Sequence, residues 1–261
     1  MKFKNKVVVV AGGTSGISLA TALSFANEGA KVAVLSRSQD KVDLAVAALI
    51  EVAGEALGFS ADVRDIDALH NVMASVAESW GSIDVLVSGA AGNFASPAAD
   101  LSGNGFKTVI DIDLLGCFNV MRAAYPHLTK PGAAILNIGA PQSWLPTPMQ
   151  IHVCAAKAGI DQVTRTAAME WGADGIRVNA IAPGPIADTE GMRRLAPTPA
   201  AEAVWTKSVP LGRYGTKEEI SKVIQWLCSD EAAYISGAII PVDGGWSLGG
   251  SSNMTMALTA K

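Results

Sequence analysis

The chain is poor in the residues on which most side-chain chemistry depends. Among its 261 residues there are three tyrosines (Tyr125, Tyr214, Tyr234), three histidines (His70, His127, His152) and three cysteines (Cys117, Cys154, Cys228). An odd cysteine count with no CxxC pair and no histidine cluster leaves neither a disulfide framework nor a zinc site, so a reduced, metal-free protein is expected. Positive charge is scarce as well: 20 Lys and Arg against 24 Asp and Glu give a formal net charge of −4. That balance lacks the cation excess that displaces counterions from a phosphate backbone, and no nucleic-acid partner is expected. No apolar run approaches the roughly 18 residues that cross a bilayer, so no membrane partner is expected either. The N-terminal MKFKNK leads straight into a buried-strand pattern rather than a signal peptide, and the closing ALTAK differs from an S-K-L peroxisomal ending. The expected location is the cytoplasm.

What the chain does have is apolar substance, 49% of its residues, which excludes a disordered polymer. Short β-branched runs at 7–10, 32–35, 56–59, 85–87, 134–138, 177–182 and 238–242 alternate with helix-patterned stretches at about 16–28, 40–53, 65–79, 103–128, 153–171 and 216–229. The runs are nearly continuous rather than alternating, as strands are when helices cover both faces of a parallel sheet. The last helix opens on Thr216-Lys217-Glu218-Glu219, a capping-box pattern. The expectation is an α/β chain, one doubly wound domain over residues 1–261 with a seven-stranded parallel sheet. One long interruption, 183–213, is rich in Pro and Ala; about 186–213 reads as a substrate lid, with an ordinary surface loop as the alternative. The Gly/Ser-rich tail after Gly245 reads as an irregular arm.

Directly after the first strand stand Gly12, Gly13, Thr14, Ser15, Gly16 and Ile17. Glycines there let backbone amides at a helix N-terminus approach a pyrophosphate. The Gly-x-x-x-Gly spacing is looser than G-x-G-x-x-G, and Ser18 stands where a third glycine is anticipated; a plain strand-to-helix turn is the bland alternative. About 20 residues further on, a chain that binds NAD carries an acid for the ribose hydroxyls. Here Arg37 follows the second strand instead, which suits a 2′-phosphate and so NADP(H), unless it is a solvated surface arginine.

These pieces, with Asp62-Val63, Ser88-Gly89-Ala90-Ala91-Gly92, Lys157, Pro183-Gly184 and Val242-Asp243-Gly244-Gly245, resemble the short-chain dehydrogenase/reductase family over nearly the whole chain. The resemblance implies a Rossmann fold and a homotetramer built through the helices near 103–128 and 153–171. It further implies that Asp62 and Val63 hold the adenine, that Ala90 and Gly92 line the cofactor, and that Pro183, Gly184, Pro185, Ile186 and Thr189 cover its nicotinamide side. Most members carry Tyr-x-x-x-Lys, whose tyrosine protonates a carbonyl oxygen while the lysine holds the nicotinamide ribose. Here the run is Val153-Cys154-Ala155-Ala156-Lys157, and none of the three tyrosines stands four residues before Lys157. Valine transfers no proton, so ordinary ketone reduction loses its acid. The usual serine at the exit of the fifth strand is also missing from Asn137-Ile138-Gly139-Ala140, although Ser143 is close by.

The chain is most similar to the tyrosine-less, peroxisomal-type 2,4-dienoyl-CoA reductase branch of that family. The matching runs are Ala90–Phe94, Phe106–Asp113, Gln150-Ile151-His152, Ala155–Ala158, Ala182–Ile186 and Thr189–Leu195. The branch implies NADPH, an acyl-CoA thioester as the partner molecule, and hydride addition at the δ-carbon of a dienoyl thioester with the charge spreading to the thioester oxygen. It assigns Asn93 to that oxygen, and it assigns Asp113 and Lys157 to a water that protonates the α-carbon. It places Arg37, Arg64 and Arg194 at the coenzyme A phosphates, with Phe94 and Ser102 nearer the acyl chain or pantetheine.

The residues alone leave alternatives. Asn93 also fits a turn cap, Asp113 a buried helix-bracing acid, Phe94 a core residue, Arg193 the role given to Arg194, and the arginines a solvated surface. His152 reads as a satisfied structural histidine rather than a base. Two other functions stay open: an enoyl-thioester or carbonyl reductase using Ser143 or water as its acid, and a catalytically silent NADP(H)-binding regulator.

Overall fold

A computed structural model describes residues 1–251. Seven strands appear in the order of the chain: β1 (Val7–Ala11), β2 (Lys31–Ser36), β3 (Ala56–Ser60), β4 (Val85–Ser88), β5 (Ala134–Ile138), β6 (Arg177–Pro183) and β7 (Ile239–Val242). All pair in parallel in one sheet of order β3-β2-β1-β4-β5-β6-β7. Helices α1 (Gly16–Asn27), α2 (Gln39–Ala53), α3 (Ile66–Trp80), α4 (Gly103–Val109), α5 (Gly116–Ala124), α6 (Ile151–Trp171), α7 (Glu190–Leu195), α8 (Pro199–Ser208) and α9 (Lys217–Cys228) complete a doubly wound Rossmann architecture.

Why the strands lack polar alternation is visible in β1. Val7, Val9 and Ala11 enter one core, packed with Leu69 and Met73 of α3, Val120 and Met121 of α5 and Ile160 of α6. Val8 and Val10 enter the other, with Phe25 of α1, Leu49 of α2 and Ile220 and Ile224 of α9. Both faces are covered, so both sets of side chains are apolar. The strand order reverses between β1 and β4, and a crevice opens outside their carboxyl ends at that switch point.

Three stretches differ from the sequence pattern. The helix expected over 103–128 is interrupted by a π-helical turn, Ile110–Leu115, between α4 and α5, and it finishes in a tight turn at Tyr125–His127. The Pro/Ala-rich interruption holds two short helices, α7 and α8, started by the side chains of Thr189 and Thr198, which accept from the amides of Met192 and Ala201. Part of the tail expected to be irregular is a 3-10 turn, Trp246–Ser251; the rest of that tail lies outside the described residues. The capping box at Thr216 and Glu219 is present with both of its hydrogen bonds. Among the described residues no helix is long and apolar enough to cross a membrane.

Candidate active site

A cleft of about 500 Å³ runs along the carboxyl ends of the strands. Gly12, Thr14, Ser15, Gly16, Ile17, Arg37, Asp62, Val63, Ala90, Lys157, Pro183, Gly184, Pro185, Ile186 and Thr189 all line it. The glycines do different things. Gly12 has φ +75°, and a side chain there would lie 2.8 Å from the Ala90 nitrogen, so its bareness lets the β1 and β4 exits touch. Gly13 lies behind the wall, where a Cβ would sit 2.7 Å from Val34 Cγ1. Gly16 has φ +55° with open space in front of it, and Ser15 makes no side-chain cap, so among the described residues no side chain caps the first amides of α1. Ser18 is buried, and its Oγ fills the volume that a side chain at Gly89 would need, at 2.3 Å. The glycine missing at 18 is thus compensated by one at 89.

At the far end, Arg37 is exposed just past β2, and Lys41, one turn into α2, lines the same corner. Asp62 accepts from the Arg64 amide at 2.9 Å and from its guanidinium at 2.6 Å (Nη2) and 3.0 Å (Nε). The Arg64 hydrogen bonds hold the Asp62 carboxyl below its ordinary range, against the opposing effect of partial burial. Arg64 therefore stands beside Asp62. Val63 is fixed from behind, its carbonyl accepting from Asn119 Nδ2 at 3.0 Å.

Deeper in, Asp113 projects from the π-helical turn and Lys157 from the middle of α6. Their side chains are 1% and 7% exposed, and Lys157 Nζ lies 3.2 Å from Asp113 Oδ2. The other carboxylate oxygen accepts from the Gly92 amide at 2.7 Å, and the ammonium also donates to the Ile138 carbonyl at 3.2 Å. Gly159 lets α6 close on that turn, since a Cβ there would meet Leu114 at 2.7 Å. Val153 does not leave a hole where the family's tyrosine is missing. It is buried with Val109 and Ala156, flanked by Ile110 and Leu114.

The loop 92–102 is tied to this pair through the Gly92 amide. The Asn93 carbonyl accepts from Arg194 Nη1 at 2.9 Å, while its side-chain Oδ1 is buried without a partner. Arg194 is also paired with Glu190 at 2.9 Å; of the two α7 arginines, Arg193 is the one that lines the cleft. Phe94 is half exposed, with its ring 4.5 Å from that of His152. Ser102 caps α4, its Oγ accepting from the Gly105 amide at 3.0 Å. His152 is fully buried, yet among the described residues neither ring nitrogen has a partner, which differs from the expectation of a satisfied structural histidine. Ser143 Oγ is buried as well.

Lys41, Gln142, Trp205 and Trp246 also line the cleft, with no motif in the sequence to mark them. Trp205 of α8 and Trp246 pack at 5.5 Å between ring centroids, 41 positions apart, so no local pattern could pair them.

Residues 11–247 match a family model described as enoyl-(acyl carrier protein) reductase. The chain belongs to the short-chain dehydrogenase/reductase family. Among its relatives in that oxidoreductase family, the rat peroxisomal 2,4-dienoyl-CoA reductase, (3E)-enoyl-CoA-producing, is 42% identical over 93% of this chain and 84% of that protein. A Bacillus subtilis protein named probable 2,4-dienoyl-CoA reductase, (2E)-enoyl-CoA-producing, is 41% identical over 93% of this chain and 96% of its own length. The crystal structure of a short chain dehydrogenase from Bacillus anthracis superposes with a TM-score of 0.83 at 42% identity, covering 94% of this chain and 97% of that one.

Proposed function

We propose that this short-chain dehydrogenase/reductase is an NADPH-dependent 2,4-dienoyl-CoA reductase. The observation that carries the reading is the buried Asp113–Lys157 pair beside a valine at position 153, a site that keeps the family's lysine, lacks its proton-donating tyrosine and adds a carboxylate. The names of the rat and Bacillus subtilis relatives point to the same chemistry.

The cleft fits a nicotinamide dinucleotide. Its supports are the uncapped first turn of α1, the open space at Gly16, and a volume within the range of small-molecule sites. Arg37 and Lys41 at the β2 end, with an arginine rather than an acid directly after β2, favour the 2′-phosphate of NADP(H). When bound, that cofactor supplies the hydride that adds at the δ-carbon. The remaining steps belong to the chain. Asn93 Nδ2 donates to the thioester oxygen where negative charge collects. Asp113 and Lys157 hold a water that gives its proton to the α-carbon, while Lys157 orients the cofactor ribose. Arg37, Arg64 and the α7 arginines meet the coenzyme A phosphates, with Phe94 and Ser102 along the acyl or pantetheine arm. The segment carrying α7 and α8 serves as the lid, Trp205 closing on Trp246. Exposed Phe118 on α5 and Met169 on α6 support a homotetramer assembled through those helices.

Oxidation of NADPH by purified protein with trans-2,trans-4-dienoyl-CoA tests the reading, and absence of turnover at micromolar enzyme overturns it. A second reading, reduction of an enoyl thioester, is favoured by the description of the matching family model; full activity of an Asp113→Asn variant on an enoyl thioester would support it instead.

A further inference from the structure

Three backbone anchors hold the loop that carries Asn93. The Gly92 amide donates to Asp113 Oδ1 at 2.7 Å, the Asn93 carbonyl accepts from Arg194 at 2.9 Å, and the Ser96 amide donates to the Met149 carbonyl at 2.9 Å. Against this fixed main chain, the Asn93 side-chain oxygen is buried and accepts from nothing. A primary amide has two unlike ends, and only its nitrogen can donate. If the carbonyl end were turned to the thioester, its lone pairs would repel the charge that collects there during reduction. A site that relies on this amide needs a donor that holds Oδ1 away from the substrate.

Packed against the Phe94 ring of that loop is an imidazole without partners among the described residues. His152, in the first turn of α6, is 0% exposed, and both of its ring nitrogens lack partners. Its ring is tilted against Phe94 at 4.5 Å, and Phe94 is the chain neighbour of Asn93. A neutral imidazole always carries one N–H, and burying it unbonded costs stability that an apolar side chain would not cost. The orphaned acceptor on Asn93 and the orphaned imidazole in contact with the ring of its chain neighbour Phe94 are complementary. Phe94 is 39% exposed, so it has room to shift when an acyl chain enters.

We infer that His152 is a positioning residue: with substrate bound, it donates a ring N–H to Asn93 Oδ1 and so turns the Asn93 amide to present Nδ2 to the thioester oxygen. The inference rests on the proposed role of Asn93 and adds to it the group that orients that amide.

The test uses the full chain in four forms besides wild type: His152→Leu, His152→Gln, Asn93→Ala and the Asn93→Ala/His152→Leu double variant. His152→Leu is expected to keep or raise the Tm of the substrate-free protein, because two unpartnered nitrogens disappear. The same variant is expected to lower kcat on a dienoyl-CoA about tenfold with little change in KM, the mark of an interaction made in the transition state. His152→Gln, which restores an N–H, recovers most of that loss. In the Asn93→Ala background, His152→Leu changes kcat by less than about twofold, because the two act as one unit. The histidine NMR signal of the protein holding NADP+ and a saturated acyl-CoA reads the bond without turnover, and a ring N–H shift on acyl-CoA addition is expected. A lowered Tm with no rescue by glutamine, multiplicative losses in the double variant, or an unmoved histidine signal overturns the inference. Full activity of Asn93→Ala overturns the oxyanion reading and the inference with it. Impaired Asn93→Ala beside fully active His152→Leu overturns the inference alone.

Discussion

Lys157 Nζ and Asp113 Oδ2 face each other at 3.2 Å, withdrawn almost completely from water, across the junction of α6 and the π-helical turn. A charge pair this deep stabilises poorly compared with apolar packing, yet breaking it by removing one partner costs much more, since the other charge is left buried. Asp113→Asn is therefore expected to destabilise the fold by about 3 kcal/mol. Through loss of the water-orienting carboxylate it is also expected to lower kcat on a dienoyl-CoA by about 10²-fold or more. Urea unfolding and steady-state kinetics on the same preparation read both effects, and NADPH affinity should change little.

Arg37 has no acidic partner among the described hydrogen bonds and lines the adenine end of the cleft. Replacing it with alanine removes a charge-assisted contact to a 2′-phosphate, which NADH lacks. The expected outcome is about a tenfold or greater rise in KM for NADPH with KM for NADH nearly unchanged. Equal changes for both coenzymes would count against the NADP(H) preference.

Val153 is packed against Val109 and Ala156, so the missing tyrosine is not a simple deletion. Val153→Tyr overpacks a filled site and is expected to cost about 1–3 kcal/mol without producing ketone reduction. A variant that is as stable as the parent and reduces simple ketones would show that the tyrosine's space had been kept.

The cap of α9 gives a pH signature. Glu219 is drawn down to about 2 from 4.5, chiefly by the Arg213 guanidinium and next by the Thr216 amide. A carboxyl with a depressed folded-state pKa contributes stability that is complete above its unfolded value and is lost as pH falls towards the folded one. Glu219→Gln should thus lower Tm at neutral pH, and the difference from wild type should shrink between about pH 4.5 and 2. Thermal melts across that range check it.

Much of the architecture was legible in the chain because the central strands are buried on both faces, and a near-continuous apolar run such as Val7–Ala11 has few other readings, whereas the edge strands β3 and β7 are only partly buried. The π-helical turn at Ile110–Leu115 was not. Shifting a few hydrogen bonds by one residue leaves the apolar periodicity of the surrounding helix almost intact, although the carboxylate it aims, Asp113, stood out as an acid among Ile, Leu and Phe. Helices α7 and α8 hid behind Pro and Ala, which read as a lid or loop insertion without helices, even though their capping threonines were in plain view. Arg194 carries a bond to the Asn93 carbonyl that joins residues 101 positions apart, which no local pattern shows. His152 failed for a different reason. A sequence shows that an imidazole is present, whereas its lack of partners depends on every element packed around it.

The central claim, that the reductase takes its proton from a water held by Asp113 and Lys157, is tested most directly by running the reaction in heavy water with NADPH and trans-2,trans-4-dienoyl-CoA and locating the label by NMR. The account predicts NADPH consumption with deuterium at the α-carbon, hydrogen from NADPH at the δ-carbon, and a (3E)-enoyl-CoA product whose formation collapses in Asp113→Asn. Deuterium at the γ-carbon with a (2E)-enoyl-CoA product, or undiminished labelling in that variant, would contradict it.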